Sequence, residues 1–136
     1  MDREQYVSWS EIDSLIERLS NVILKSKNTF SSITTLSRGG LVPARLLADH
    51  LGIEKIHVDE KVIPSNSLVV DDIFDSGKTF DKIISNSEDS SKLLFATIFA
   101  RRGKKFPSQL VYGKETDNDG YVVFPWDKIE FQKSKK

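Results

Sequence analysis

Apolar residues recur at helical spacing between Ser10 and Lys25, where Ile12, Leu15, Ile16, Leu19 and Ile23 form one stripe and predict an amphipathic helix. Ser10, with Asp13 three positions on, reads as its capping box, Asp standing for the usual Glu. The β-branched run Ser32 to Leu36 predicts a strand, and "ARLLADHLG" a helix stopped by Gly52. Ile56 to Val58 is a second strand. Leu68 to Val70 is a third, and its unbroken apolarity suits a parallel strand buried on both faces. Thr79 to about Asn86 begins another helix, Leu93 to Ala100 is a fourth strand, and Gln109 to Tyr112 and Tyr121 to Phe124 are short late strands. Strands alternate with helices, without internal repeat or low-complexity linker. The expected class is α/β, a single domain over residues 1–136 with a mostly parallel twisted sheet flanked by helices.

Sheets of this kind bind ligands beyond the carboxyl ends of their strands. Three unusual loops leave strand ends here: "SRGG", "DDIFDSGKT" and "ARRGKK". They should open on one edge. A chain of 136 residues supports one real core and not two comfortable ones. Acids and bases balance at 20 each, so bulk charge suggests no grip on nucleic acid or an anionic membrane. The absence of cysteine removes disulfides, thiol chemistry and thiolate metal sites, and fits a reducing cytoplasm. The start "MDREQYVSWSE" is too polar for a signal peptide, and no apolar run approaches membrane-spanning length, so a cytoplasmic chain is expected. The basic tail "QKSKK" reads as a frayed end.

The sharpest chemistry lies in "LVVDDIFDSGKTF". A strand, then small residues, then a helix start, aims several backbone N–H groups at one point, where the helix dipole adds positive potential. Ser76, Gly77 and Thr79 suit a phosphate monoester, with hydroxyls to donate and a glycine to admit close backbone approach. The pattern is not a Walker A loop. Asp71 and Asp72 just before it suit Mg²⁺ or sugar hydroxyls rather than phosphate itself. Read alone, "DSG" is an ordinary turn with capping acids; the full string points to a phosphorylated sugar with a metal nearby. In "LSRGGLVPA", Arg38 and two glycines ahead of a helix form either a tight turn or an anion nest. Beside the first loop, the second reading implies a second anion held apart from the first. His50 and His57 read as structural, and zinc is not suggested. "RRGKK" reads as one arginine facing the site and a solvated turn rather than a nucleic-acid patch, and Phe124 and Trp126 as a cap on the core rather than a ligand stack.

"LVVDDIFDSGKT" resembles the phosphoribosylpyrophosphate (PRPP) signature of type I phosphoribosyltransferases. "TTLSRGGLVPARLLADHLGI" resembles the pyrophosphate loop and following helix of the bacterial xanthine-guanine enzymes, and "YVSWSEI", "FATIFARRG" and "YVVFPWD" resemble further segments of them. The likeness runs from about Tyr6 to Asp127. It implies a small C-terminal hood over the base, transfer of the 5-phosphoribosyl group from PRPP to a 6-oxopurine (hypoxanthine, xanthine or guanine), and release of pyrophosphate. It implies that Asp71 and Asp72 hold the ribose hydroxyls directly and through Mg²⁺, that Ser76, Gly77, Lys78 and Thr79 cradle the 5′-phosphate, and that Asp75 faces purine N7 as general base. Ser37, Arg38 and Gly39 would hold pyrophosphate, with the Ser37–Arg38 peptide often cis in the family. Arg101 would face the purine 6-oxygen, Tyr121 would stack on the base, and the Val122 backbone would read its edge. A homodimer or homotetramer is implied as well.

The sequence departs from that family in places. The long flexible loop between the second and third strands is reduced to little more than "DEKVIPSNS". Arg101 replaces the usual lysine, and the two are not interchangeable as donors. Val123 stands where an acid often sits near the base's 2-position. The short loop keeps a second reading open, a PRPP- or nucleotide-binding regulatory module of the same fold without turnover. The changed base-reading positions keep open a transferase acting on another base.

Overall fold

The computed structural model describes residues 3–135. A short strand β1 (Gln5–Tyr6) leads into helix α1 (Trp9–Lys25). The cap is Ser8 rather than Ser10: the Ser8 hydroxyl accepts from Glu11 N at 3.1 Å, so the box is Ser8 with Glu11, and Ser10 and Asp13 fall inside the helix. Ile12, Leu15, Ile16, Leu19 and Ile23 are all buried, the stripe read from the sequence.

Then come β2 (Ser32–Thr35), α2 (Leu41–Leu51), β3 (Ile56–Val58), β4 (Ser67–Phe74), α3 (Lys78–Ser85), β5 (Phe95–Ala100), β6 (Leu110–Glu115), β7 (Val122–Val123) and α4 (Ile129–Ser134). Gly52 ends α2 in the left-handed conformation, as expected of a helix stop. Five strands form one parallel sheet in the order β3-β2-β4-β5-β6. β5 is buried at every position, the environment its apolar run demanded. One face of the sheet packs on α1 and α2 through Ile16, Leu47, Leu68, Val70 and Ile98. The other packs on α3 through Ile83, Val69 and Phe95. β1 and β7 pair in parallel as a separate two-stranded sheet, so the hood joins both ends of the chain instead of being C-terminal alone.

Further differences from expectation lie in α2, which starts at Leu41 inside the expected loop, in β6, which runs on to Glu115, in β4 and in the tail. β4 runs past Val70 through both aspartates to Phe74, because the ladder to β5 continues at Asp71↔Thr97 and Ile73↔Phe99. The tail is not frayed over its described length. Residues 129–134 form a helix that docks Phe131 against Tyr6 and Tyr121.

Candidate active site

The carboxyl ends of β2, β4 and β5 bring the three unusual loops to one edge. Asp71 and Asp72 follow one another near the end of β4, and their carboxyls are close enough to interact. Asp72 lines a cleft of about 420 Å³ together with Arg38, Gly39, Asp75, Arg101 and Tyr121. Asp71 lines a smaller hollow of about 200 Å³ beside Ser76, Gly77 and Thr79. Each carboxylate accepts from the next backbone N–H, Asp71 Oδ1 from Asp72 N and Asp72 Oδ1 from Ile73 N, both at 2.8 Å. Surrounding protein pushes the Asp71 carboxyl up to about 8, and the Asp72 charge adds to this. Burial raises Asp72 too, against hydrogen bonds from Asp71 and Ile73 that favour its charged form.

The smaller hollow is a turn into a helix N-terminus. Gly77 caps α3 at φ 90°, a conformation that a side chain strains, and Lys78 N reaches the Ser76 hydroxyl at 3.3 Å. Lys78 is exposed and stands outside the residues that line the hollow.

The Ser37–Arg38 peptide is cis. A Cβ on Gly39 would lie 2.5 Å from Asp72 Oδ2, so only glycine lets this loop lie against the acid on β4. Ser37 is engaged from the β3–β4 connection: its N–H donates to Asp59 Oδ1 at 2.9 Å and its hydroxyl to Asp59 Oδ2. Those bonds hold the Asp59 carboxyl below its usual range. Arg38 Nε donates to Glu130 Oε2 on α4 at 2.7 Å.

Arg101 is buried at the end of β5. Its Nη1 donates to the carbonyls of Gly120 at 2.9 Å and Asn118 at 3.1 Å, and its Nε to Asp75 Oδ1 at 3.3 Å. Tyr121 stacks on Phe131 with centroids 5.7 Å apart, and its hydroxyl donates to Asp127 Oδ2 at 3.0 Å. Burial first, then Asp127, raises the phenol well above its usual range. β1 takes the carbonyls of Tyr121 and Val123, and strand alternation turns the peptide groups of Val122 away from β1. Phe124 is buried in the core, as expected, and also lines the cleft. Trp126 both packs on Phe124 at 4.9 Å and lines the cleft. His50 and His57 stand outside the lining of the cleft and the hollow.

Sequence reading missed Asp59 and Glu130, which act across the fold and carry no local signal. Asp127 had one, as the last residue of "YVVFPWD". Among the described residues no group of three or more His, Cys, Asp or Glu side chains converges as a metal cage. The two adjacent, desolvated carboxylates of Asp71 and Asp72 nevertheless fit Mg²⁺, an ion that needs only one or two protein carboxylates, and would be the residues to hold it.

A five-stranded parallel sheet flanked by helices, with an acid pair and a small-residue turn at the end of β4, is the architecture of a type I phosphoribosyltransferase. No family model matches the chain. It is 30% identical over 144 residues to xanthine-guanine phosphoribosyltransferase of Gluconobacter oxydans (strain 621H), across 89% of this chain and 83% of that protein. The purine phosphoribosyltransferase of Pyrococcus horikoshii superposes with a TM-score of 0.72 at 23% identity, covering 95% of this chain and 96% of that one. The xanthine-guanine-hypoxanthine phosphoribosyltransferase of Helicobacter pylori gives 0.74 at 16%, covering 98% and 99%. The chain belongs to the purine phosphoribosyltransferase family, whose named members are transferases.

Proposed function

We propose that the chain transfers the 5-phosphoribosyl group of PRPP to a ring nitrogen of hypoxanthine, xanthine or guanine and releases pyrophosphate, as a cytoplasmic salvage enzyme. The reading rests on one observation: the acid pair and the "SRGG" nest meet where Gly39 lies against Asp72, with the "DSGKT" hollow alongside. The whole chain would act as a single domain, assembled as a homodimer or homotetramer. Among the described residues no helix is long and apolar enough to cross a membrane.

Ser76, Gly77 and Thr79 would cradle the 5′-phosphate through hydroxyls and the N–H groups opening α3, with Lys78 adding charge from outside the hollow. Asp71 and Asp72 would hold the ribose hydroxyls and, with them, Mg²⁺. When bound, that ion supplies positive charge against the diphosphate and ribose oxygens. Ser37, Arg38 and Gly39 would hold the pyrophosphate, whose negative charge grows as the bond from C1′ to its oxygen breaks. The new bond forms from the purine nitrogen to C1′, and Asp75 would accept the proton from N7. Arg101 keeps the Asp75 carboxylate in place and would donate toward the 6-oxygen from the same wall. Tyr121 would stack on the base, and Val122 would present backbone to its edge.

A second reading, a PRPP- or nucleotide-binding module without turnover, is favoured by the β3–β4 connection. That connection lies down on the end of α3: Ile63 N donates to Asn86 O at 2.9 Å, Glu88 N to Ile63 O at 3.0 Å, and Ser65 N to Glu88 Oε1 at 3.0 Å. A segment bonded there does not overhang the cleft, and a wet site screens charge and slows transfer. Slow but real turnover is therefore expected. The test is nucleotide formation from PRPP, Mg²⁺ and each of the three bases at high enzyme concentration, beside Asp75→Ala. Product well above that control supports the enzyme. Equal rates with PRPP still bound would replace it with the binding module.

A further inference from the structure

The last helix of the chain reaches both sides of the cleft. Glu130 Oε2 holds Arg38 Nε at 2.7 Å, while Phe131, the next residue, stacks on Tyr121 with planes 28° apart. Phe131 N also donates at 3.0 Å to Asp127 Oδ1, on the carboxylate that takes the Tyr121 hydroxyl. Asp127 and Glu130 both line the cleft, and no step of the transfer described above uses either. One six-residue helix thus engages the residues assigned to pyrophosphate and to the base.

The Arg38–Glu130 pair sits largely in water, its side chains 61% and 41% exposed. Such a pair is worth only a few-fold in an equilibrium constant. A diphosphate carries several negative charges and offers the guanidinium better-matched oxygens, so it can displace the carboxylate. Once it is bound, Glu130 would stand beside like charge and be repelled.

We propose that Glu130 is an internal competitor of pyrophosphate for Arg38, so that binding of the diphosphate releases Glu130 and shifts α4. The inference rests on the assignment of Arg38 to pyrophosphate. Glu130 would lower the affinity for the leaving product, and the movement of α4 would couple the pyrophosphate side of the cleft to the base side through Phe131 and Tyr121.

Calorimetry of Mg²⁺-pyrophosphate with wild type, Glu130→Gln, Arg38→Ala and the double variant tests it. Glu130→Gln should tighten pyrophosphate binding about threefold to fivefold, from the strength of exposed ion pairs, and the gain should vanish in the Arg38→Ala background. Amide hydrogen exchange across residues 129–134 should rise on adding Mg²⁺-pyrophosphate to the wild type. If Arg38→Ala weakens binding while Glu130→Gln leaves it unchanged or weaker, the competitor role is wrong and the Arg38 assignment stands. Unchanged exchange across α4 also overturns it. If Arg38→Ala itself leaves pyrophosphate binding intact, both the assignment and this inference fall.

Discussion

Arg101 and Asp75 form an asymmetric pair: the arginine side chain is 10% exposed and the aspartate 57%, with Nε and Oδ1 3.3 Å apart. The guanidinium is anchored from inside by the carbonyls of Asn118 and Gly120, and it carries the acid at the cleft wall. A lysine ammonium, with its three donors on one nitrogen, would not span the two carbonyls and the carboxylate in the same way. Arg101→Met should destabilise the fold by about 1–3 kcal/mol, since it leaves the buried Gly120 carbonyl without its donor, while Asn118 O keeps the Thr116 hydroxyl. Arg101→Lys should cost less stability and shift the preference among bases. Urea unfolding and rates on the three bases check both.

Asp71→Asn with Asp72→Asn should remove most of the affinity for Mg²⁺-PRPP, on the order of 2–5 kcal/mol for lost charge contacts to a polyanion and its metal. The same variant should unfold at a higher temperature than wild type at pH 8 in a chelator. It removes two crowded, desolvated carboxylates that the apo fold stabilises poorly. Calorimetric titration measures the first effect, and differential scanning calorimetry the second.

The raised carboxyls set a pH dependence. Asp71 titrates near 8 in the fold and near 3.8 when unexposed to it, so in that window the folded state holds a proton that the unfolded chain has released. Stability should therefore be greatest at the acidic end of the window and decline as pH rises toward about 8, where the penalty levels off. Mg²⁺ favours the ionised form, so it should raise the melting temperature more at pH 8 than at pH 6. Melting curves at both values, with chelator and with Mg²⁺, decide this. A stability that climbs from pH 5 to pH 8 in chelator would contradict the burial argument.

Gly39→Ala should weaken pyrophosphate binding and destabilise the fold by about 1–3 kcal/mol, typical of overpacking. The added methyl meets Asp72 Oδ2 at 2.5 Å and forces the loop off β4. An alanine variant with native stability and pyrophosphate affinity would show that the loop has room to move.

Periodicity along the chain carried most of the architecture. The α1 stripe, the unbroken apolarity of the start of β4 and the Gly52 stop reflect local spacing and backbone freedom, which neighbouring residues express by themselves. The site's loops were legible for the same reason, because a strand-to-helix turn of this kind carries its glycine and hydroxyls close together in the chain. Tertiary structure decided the rest. This polar stretch stays in β4 because β5 supplies ladder partners at Asp71 and Ile73 on either side of Asp72, and the cap on α1 is Ser8 because backbone geometry chooses between Ser8 and Ser10. The pairing of Asp59 with Ser37 and Glu130 with Arg38 joins residues far apart in sequence, and no local pattern encodes such contacts. α4 is the extreme case. Six residues of mostly polar composition have little helical stability in isolation, and this helix forms where Phe131 finds Tyr6 and Tyr121, on a surface that only the folded chain presents.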